Sequence, residues 1–86
     1  MSQYSTSSPL TLESMRADIA RILHEEPDGI DPDDNLMDWG LDSLRLLTLV
    51  TRWNESGLQL DLSELAGRLT LSAMWQVVSQ RQQARA

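Results

Sequence analysis

Ser43 is the residue whose setting most clearly suggests chemistry. It stands in the sequence Gly-Leu-Asp-Ser-Leu, residues 40–44, directly before an apolar run. Unpaired backbone N–H groups and the helix dipole favour an anion at the first turn of a helix. Gly40 makes the preceding turn easy and Leu41 can pin it to a core. The pattern predicts an exposed, rigidly held hydroxyl suited to carry a phosphodiester; the alternative is that Ser43 only caps the helix.

A catalytic role for this serine lacks a partner in the sequence. A serine hydroxyl is a weak nucleophile without an adjacent base. His24 is the only histidine, and the chain contains no Lys and no Cys. Gly40 precedes Ser43 by three residues and Arg45, not glycine, stands two residues after it, so the G-x-S-x-G pattern is absent. We therefore predict no catalytic residue, and we assign His24 to a favourable interaction with the dipole at a helix C-terminus.

The acidic residues are concentrated before this serine. Eight Asp or Glu and no Lys or Arg lie in residues 25–42, within a net charge of −6. That balance argues against nucleic acid as a partner, because phosphates need a basic face. Asp31, Asp33 and Asn35 have the opening spacing of a calcium loop, but Leu36 stands where the loop needs Gly. We predict a solvated acidic loop and no metal site.

Composition indicates one small helical domain. The 86 residues include fifteen Leu but only three Ile, three Val and no Phe, which favours helices over strands. The absence of Cys excludes disulfides and thiol chemistry. No apolar stretch approaches the ~20 residues that span a bilayer, and the first residues do not resemble a secretory signal. We therefore expect a cytoplasmic protein without a membrane partner.

The elements predicted from periodicity and capping residues form an all-α, small four-helix bundle with three longer helices, one short helix and a long first loop. In residues 27–40, the apolar side chains Ile30, Leu36, Met37 and Trp39 are predicted to anchor that loop to the core. The predicted ranges are a disordered lead-in, 1–10; a domain, 11–80; helices from 12 to about 26, 43 to about 56, 62 to 67 and 71 onward; and a flexible tail, 81–86.

The stretch NLMDWGLDSLRLLTLVTRW, residues 35–53, resembles the phosphopantetheine-attachment region of carrier proteins. Its Gly-Leu-Asp-Ser-Leu core is shared with acyl and peptidyl carriers. Arg45 and Leu46 after the serine, then Arg52-Trp53, make it more similar to the aryl carrier domains of siderophore-type nonribosomal peptide synthesis, as does the segment LAGRLTLSAMW, residues 65–75.

The resemblance implies that Ser43 receives 4′-phosphopantetheine from coenzyme A through a separate phosphopantetheinyl transferase, with Asp42 helping to orient that enzyme's magnesium. An adenylating ligase would load the arm's thiol with an aryl acid such as salicylate or 2,3-dihydroxybenzoate. A condensation or cyclisation domain would take the thioester onward. The alternatives that stay open are a peptidyl or general acyl carrier and a non-covalent helical interaction module.

The resemblance also implies a monomer whose second and third helices dock partners. The matching and neighbouring positions are Met37, Leu44, Leu47, Leu62 and Ala66. For Leu47 and Leu62, burial in the core is the competing interpretation. Two departures from relatives stand out: basic residues outnumber acidic ones in the second helix, unlike in fatty-acid carriers, and Leu69 stands where many relatives have Pro.

Overall fold

The computed structural model describes residues 10–85, and within them the chain is helical and without strands. The all-α prediction, with three longer helices and one short helix, is confirmed. The predicted lead-in, apart from Leu10, lies outside the described residues. The four helices are α1, Leu12–Leu23; α2, Ser43–Asn54; α3, Leu62–Ala66; and α4, Leu71–Arg85; two short 3₁₀ helices span Pro27–Gly29 and Leu36–Trp39.

Helix α1 begins where predicted and ends earlier. Thr11 and Ser14 form a reciprocal cap in which each hydroxyl accepts the other's backbone N–H, at 3.0 and 2.9 Å. The helix ends at Leu23 because His24 adopts a left-handed conformation (φ 59°) and donates its N–H back to the last turn. The expected continuation to Glu26 is therefore wrong. His24 acts as the C-cap.

The long first loop is fixed to the start of α4 by two backbone hydrogen bonds. Leu36 N–H donates to the Leu69 carbonyl at 2.8 Å, and Ser72 N–H donates to the Pro32 carbonyl at 2.9 Å. Of the four predicted anchors, Ile30 and Leu36 are buried and Trp39 is half-buried. Met37 is exposed, which corrects its assignment as a core anchor.

All four helices and both long connections contribute to one apolar core. Its largest fully buried member is Trp53, on α2. The indole N–H of Trp53 donates to Asp18 of α1 at 3.0 Å, so the one polar atom of this side chain is satisfied. The core comprises Met15, Ile19, Ala20, Leu23, Ile30, Leu36, Leu41, Leu46, Leu49, Val50, Trp53, Leu58, Leu60, Leu65, Leu71, Met74 and Val78.

Helix α4 extends to Arg85, beyond the predicted end of the domain at residue 80. The side-chain amide of Gln82 bonds both the N–H and the carbonyl of Leu10, at 2.6 and 3.1 Å, and Arg81 binds the Gln59 carbonyl and the Glu64 carboxylate. These contacts order residues that we predicted as a tail. Within residues 10–85, no helix has the length and apolar composition needed to cross a bilayer.

Candidate functional site

The turn before Ser43 is built by Gly40 and Leu41. Gly40 has φ 103°, a conformation that disfavours residues with a side chain, and its N–H caps the preceding 3₁₀ helix. Leu41 is buried, and its N–H donates to the Leu36 carbonyl at 3.0 Å. The turn is therefore fixed both by backbone geometry and by a side chain in the core, as the sequence predicts.

Asp42, and not Ser43, is the N-cap of α2. Its carboxylate accepts the Arg45 N–H at 2.9 Å, and its carbonyl accepts the Leu46 N–H at 2.8 Å. Ser43 is the first helical residue. The interpretation of Ser43 as only a helix cap is therefore wrong, and its hydroxyl is free for another role.

The Ser43 side chain is exposed at the positive end of α2. Among residues 10–85, no group hydrogen-bonds its hydroxyl, and the backbone N–H groups of Ser43 and Leu44 have no acceptor. Two unpaired donors and a helix dipole favour an anion at this position. The local structure therefore fits a phosphodiester on the Ser43 oxygen.

A mainly apolar cleft of about 330 Å³ lies beside Ser43, between the first loop, α2 and α3. It is lined by Met37, Leu41, Asp42, Ser43, Leu46, Ala66 and Leu69. A larger groove of about 560 Å³, between α3 and α4, has Arg68 and Arg81 on its rim and does not include Ser43. Of these two surfaces, the cleft is the one that Ser43 itself lines.

The predicted docking residues have different degrees of exposure. Leu44, Met37 and Leu47 are the large apolar side chains most exposed to solvent, at 73%, 59% and 47%. Ala66 is also exposed, whereas Leu62 is half-buried and packs on the core. The structure brings Met37 and Ala66 to the cleft beside Ser43 and leaves Leu44 and Leu47 exposed on α2.

The two cations of α2 are held by contacts that the sequence did not indicate. The Arg45 guanidinium donates to the Gly40 carbonyl at 2.9 Å, and Arg52 pairs with Asp18 at 3.2 Å. The acceptor of Arg45 is a backbone group, and that of Arg52 lies on another helix, so neither contact follows from a helical side-chain pattern. The one sequence signal for the Arg45 contact is an arginine, whose long side chain can donate hydrogen bonds, five residues after the turn glycine Gly40.

Comparison with known proteins identifies the family. Residues 13–78 match the family model described as "Phosphopantetheine attachment site", and the chain belongs to this family. Its members carry 4′-phosphopantetheine covalently on a serine, and membership supports a carrier role for this chain. The exposed serine, its unpaired N–H groups and the fixed turn fit that group.

The relatives include a small carrier protein and larger enzymes that contain a matching segment. The chain is 44% identical over 75 residues to the acyl carrier protein ScoB of Streptomyces coeruleorubidus, covering 87% of this chain and 88% of ScoB. It is 38% identical to the isochorismatase of Bacillus subtilis and 40% identical to the phenyloxazoline synthase MbtB of Mycobacterium tuberculosis. These matches cover 85% and 78% of this chain, but only 23% and 5% of those proteins.

A solved structure supports the same fold. The NMR structure of the HMG-ACPI domain of the CurA module from Lyngbya majuscula superposes with a TM-score of 0.65. The match covers 95% of this chain and 92% of that domain at 22% identity.

Proposed function

We propose that this protein is an aryl carrier that holds an aryl acid, of the salicylate or 2,3-dihydroxybenzoate type, as a thioester on a 4′-phosphopantetheine arm attached to Ser43. The observation that carries the proposal is the exposed Ser43 hydroxyl at the first position of α2, which has no hydrogen-bond partner among residues 10–85. Gly40 and Leu41 fix the turn, and Asp42 caps the helix. Family membership supports the attachment and gives no support to a non-covalent interaction module.

Attachment uses a separate phosphopantetheinyl transferase. The Ser43 oxygen forms the new bond to phosphorus, the diphosphate bond of coenzyme A breaks, and 3′,5′-ADP leaves. We expect the transferase to take the hydroxyl proton, because His24, the only histidine, caps the C-terminus of α1 and is not a hydrogen-bond partner of Ser43 in the described chain. This chain contributes the position of the oxygen and two N–H donors for the phosphate.

Similarity to the phenyloxazoline synthase, whose name denotes a phenyl-bearing product, supports aryl cargo. The partners that follow are an aryl-acid adenylating ligase and a condensation or cyclisation domain. The exposed apolar side chains of Leu44, Leu47 and Met37, with Ala66, supply a desolvatable surface for them. The half-buried Leu62 has less surface to offer, so its part in docking is smaller.

A general acyl carrier is the second candidate. It is favoured by the similarity to ScoB, which extends over nearly the whole of that acyl carrier protein. The apolar cleft beside Ser43 does not discriminate between aryl and other acyl groups.

Mass spectrometry after incubation with coenzyme A and a broad-specificity transferase tests the attachment site. We expect one added arm on the wild-type protein and none on Ser43→Ala. Ser63→Ala, which removes another exposed serine at the start of a helix, is the control and should be modified normally. An arm on Ser43→Ala, or none on the wild-type protein, would refute the attachment site.

Loading experiments test the cargo. The modified protein is offered to a panel of adenylating ligases that activate aryl, amino or fatty acids, and the thioester is measured for each. The aryl proposal expects the highest kcat/KM with an aryl-acid ligase. Preferred loading by a fatty-acid or amino-acid ligase would support the acyl or peptidyl alternative instead.

A further inference from the structure

Arg45 lies two residues after the attachment serine, and its side chain forms no ion pair within residues 10–85. It is the first cation in the sequence after Arg21, and the eight acidic residues of segment 25–42 lie between the two. Among residues 10–85, the ion pairs use Arg21, Arg52 and Arg81, whereas Arg45 bonds only a neutral carbonyl. A full positive charge is therefore held at the turn by a neutral partner.

The Arg45 side chain runs back toward the N-terminal end of α2, which keeps its charge at the start of the helix that carries Ser43. Gly40 lies three residues before Ser43 and Arg45 two residues after it, so a side chain that joins them runs along the first turn of α2. The guanidinium also packs against the turn, with Nη1 3.5 Å from where a side chain on Gly40 would begin. The guanidinium is therefore held at the turn that leads into α2, the end of the helix where Ser43 is exposed, with donors left over for a second acceptor.

Attachment changes the balance of acceptors at this position. A phosphodiester on Ser43 adds one negative charge to a surface that is already acidic on its N-terminal side. Hydrogen bonds between a guanidinium and an anionic oxygen are roughly twice as strong as those to a neutral carbonyl. The arm therefore offers Arg45 a better acceptor than the Gly40 carbonyl, and Arg45 offers the arm a nearby counter-charge.

We propose that Arg45 is the counter-ion of the phosphodiester on Ser43, and that its guanidinium moves from the Gly40 carbonyl to the phosphate when the arm is attached. This inference rests on the proposed function, because it requires the arm to be on Ser43. The N–H groups of Ser43 and Leu44 complete the site. In the modified protein Arg45 restrains the base of the arm, and the thiol end stays free to reach partners.

Nuclear magnetic resonance tests the proposal without any partner enzyme. Mass spectrometry first verifies one arm on Ser43 of each protein. The Arg45 side-chain Nε–H signal is then compared in the unmodified and modified wild-type protein, and the ³¹P signal is compared in Arg45→Gln, Arg45→Lys and Arg68→Gln. Arg68→Gln is the matched control, because it removes the same charge from an exposed arginine at the other groove.

The expected result has two parts. The Arg45 signal shifts on modification, and the ³¹P signal of Arg45→Gln moves toward that of a short peptide carrying the same phosphodiester. The ³¹P signal of Arg45→Lys lies between those of the wild type and Arg45→Gln, and the ³¹P signal of Arg68→Gln matches that of the wild type. A surface ion pair of this kind should favour the bound phosphate about two- to fivefold at low ionic strength and lose that preference in high salt.

The outcomes separate the two proposals. An Arg45 signal that is identical before and after modification, or a ³¹P signal that is identical in Arg45→Gln and Arg68→Gln, would overturn the counter-ion assignment and leave Ser43 as the attachment site. Failure of the wild-type protein to accept an arm on Ser43 would overturn both.

Discussion

Replacing Asp18 should destabilise the protein, because this side chain of α1 makes the hydrogen bond and the ion pair that join α1 to α2. The Asp18 side chain is only 10% exposed and accepts the Trp53 indole N–H at 3.0 Å. It also pairs with Arg52 at 3.2 Å and Arg21 at 3.3 Å. In Asp18→Ala the fully buried indole loses its acceptor and both arginines lose their partner. Asp18→Asn keeps a carbonyl oxygen for Trp53 and removes only the charge.

The size of each loss follows from the exposure of the partners. A buried donor left without an acceptor costs about 1–3 kcal/mol. Each pair with an exposed arginine is worth about 0.2–1 kcal/mol, because solvent screens the charges. We therefore expect Asp18→Ala to lose about 2–4 kcal/mol of unfolding free energy and Asp18→Asn about 0.5–1.5 kcal/mol. The difference between the two variants is the contribution of the Trp53 hydrogen bond.

Urea unfolding followed by far-ultraviolet circular dichroism measures these losses, at low and at high salt. High salt should reduce the cost of Asp18→Asn, and the difference between the two variants should persist, because the buried hydrogen bond is poorly screened. Equal losses in Asp18→Ala and Asp18→Asn would refute the reasoning, since the indole N–H would then contribute nothing through Asp18.

Three further predictions concern docking and pH. Ala66→Glu should leave circular dichroism and pantetheinylation unchanged and reduce transfer to the condensation domain; an unfolded variant would show that the residue belongs to the core. Leu47→Asp should hasten dissociation of the ligase complex at every salt concentration, whereas raising the salt concentration alone should only slow association. The control is Thr51→Asp, because Thr51 is exposed on α2 one turn after Leu47. A backbone hydrogen bond from Asp61 lowers the pKa of Glu64 below its ordinary value of 4.5, so its stabilisation is complete above that value and is lost as pH falls through the lowered pKa. Glu64→Gln should therefore flatten the loss of thermal stability in acid, and an unchanged acid profile would contradict that.

The helices and the attachment turn could be predicted because their determinants are local. Helices α1, α2 and α3 begin at residues 12, 43 and 62, as predicted, each after a capping side chain, and Gly40 forms the turn before the serine with a positive φ. Each of these assignments depends on residues within one turn of each other. Local patterns of this kind are where sequence analysis is strongest.

The features that the sequence did not predict depend on contacts between residues distant in sequence or on unusual backbone conformations. His24 ends α1 in a left-handed conformation that non-glycine residues rarely adopt, so the sequence predicted a helix that continues to about residue 26. Met37 looked like its buried neighbour Leu36, and only the direction of a 3₁₀ turn separates the two. Gln82 bonds Leu10 across 72 positions, which no local pattern can indicate.

The contacts at the two ends of α4 have a practical consequence for experiments on this protein. Ser72 meets the first loop at one end, close to the cleft that contains Ser43, while Gln82 holds Leu10 some 15 Å further along the helix axis. A fluorophore, an affinity tag or a solid support joined at either end of the described chain would thus lie near the Gln82 contact and not at the Ser72 end of α4. Immobilised protein should still present Ser43 to an enzyme in solution, which makes surface-based measurement of each encounter feasible.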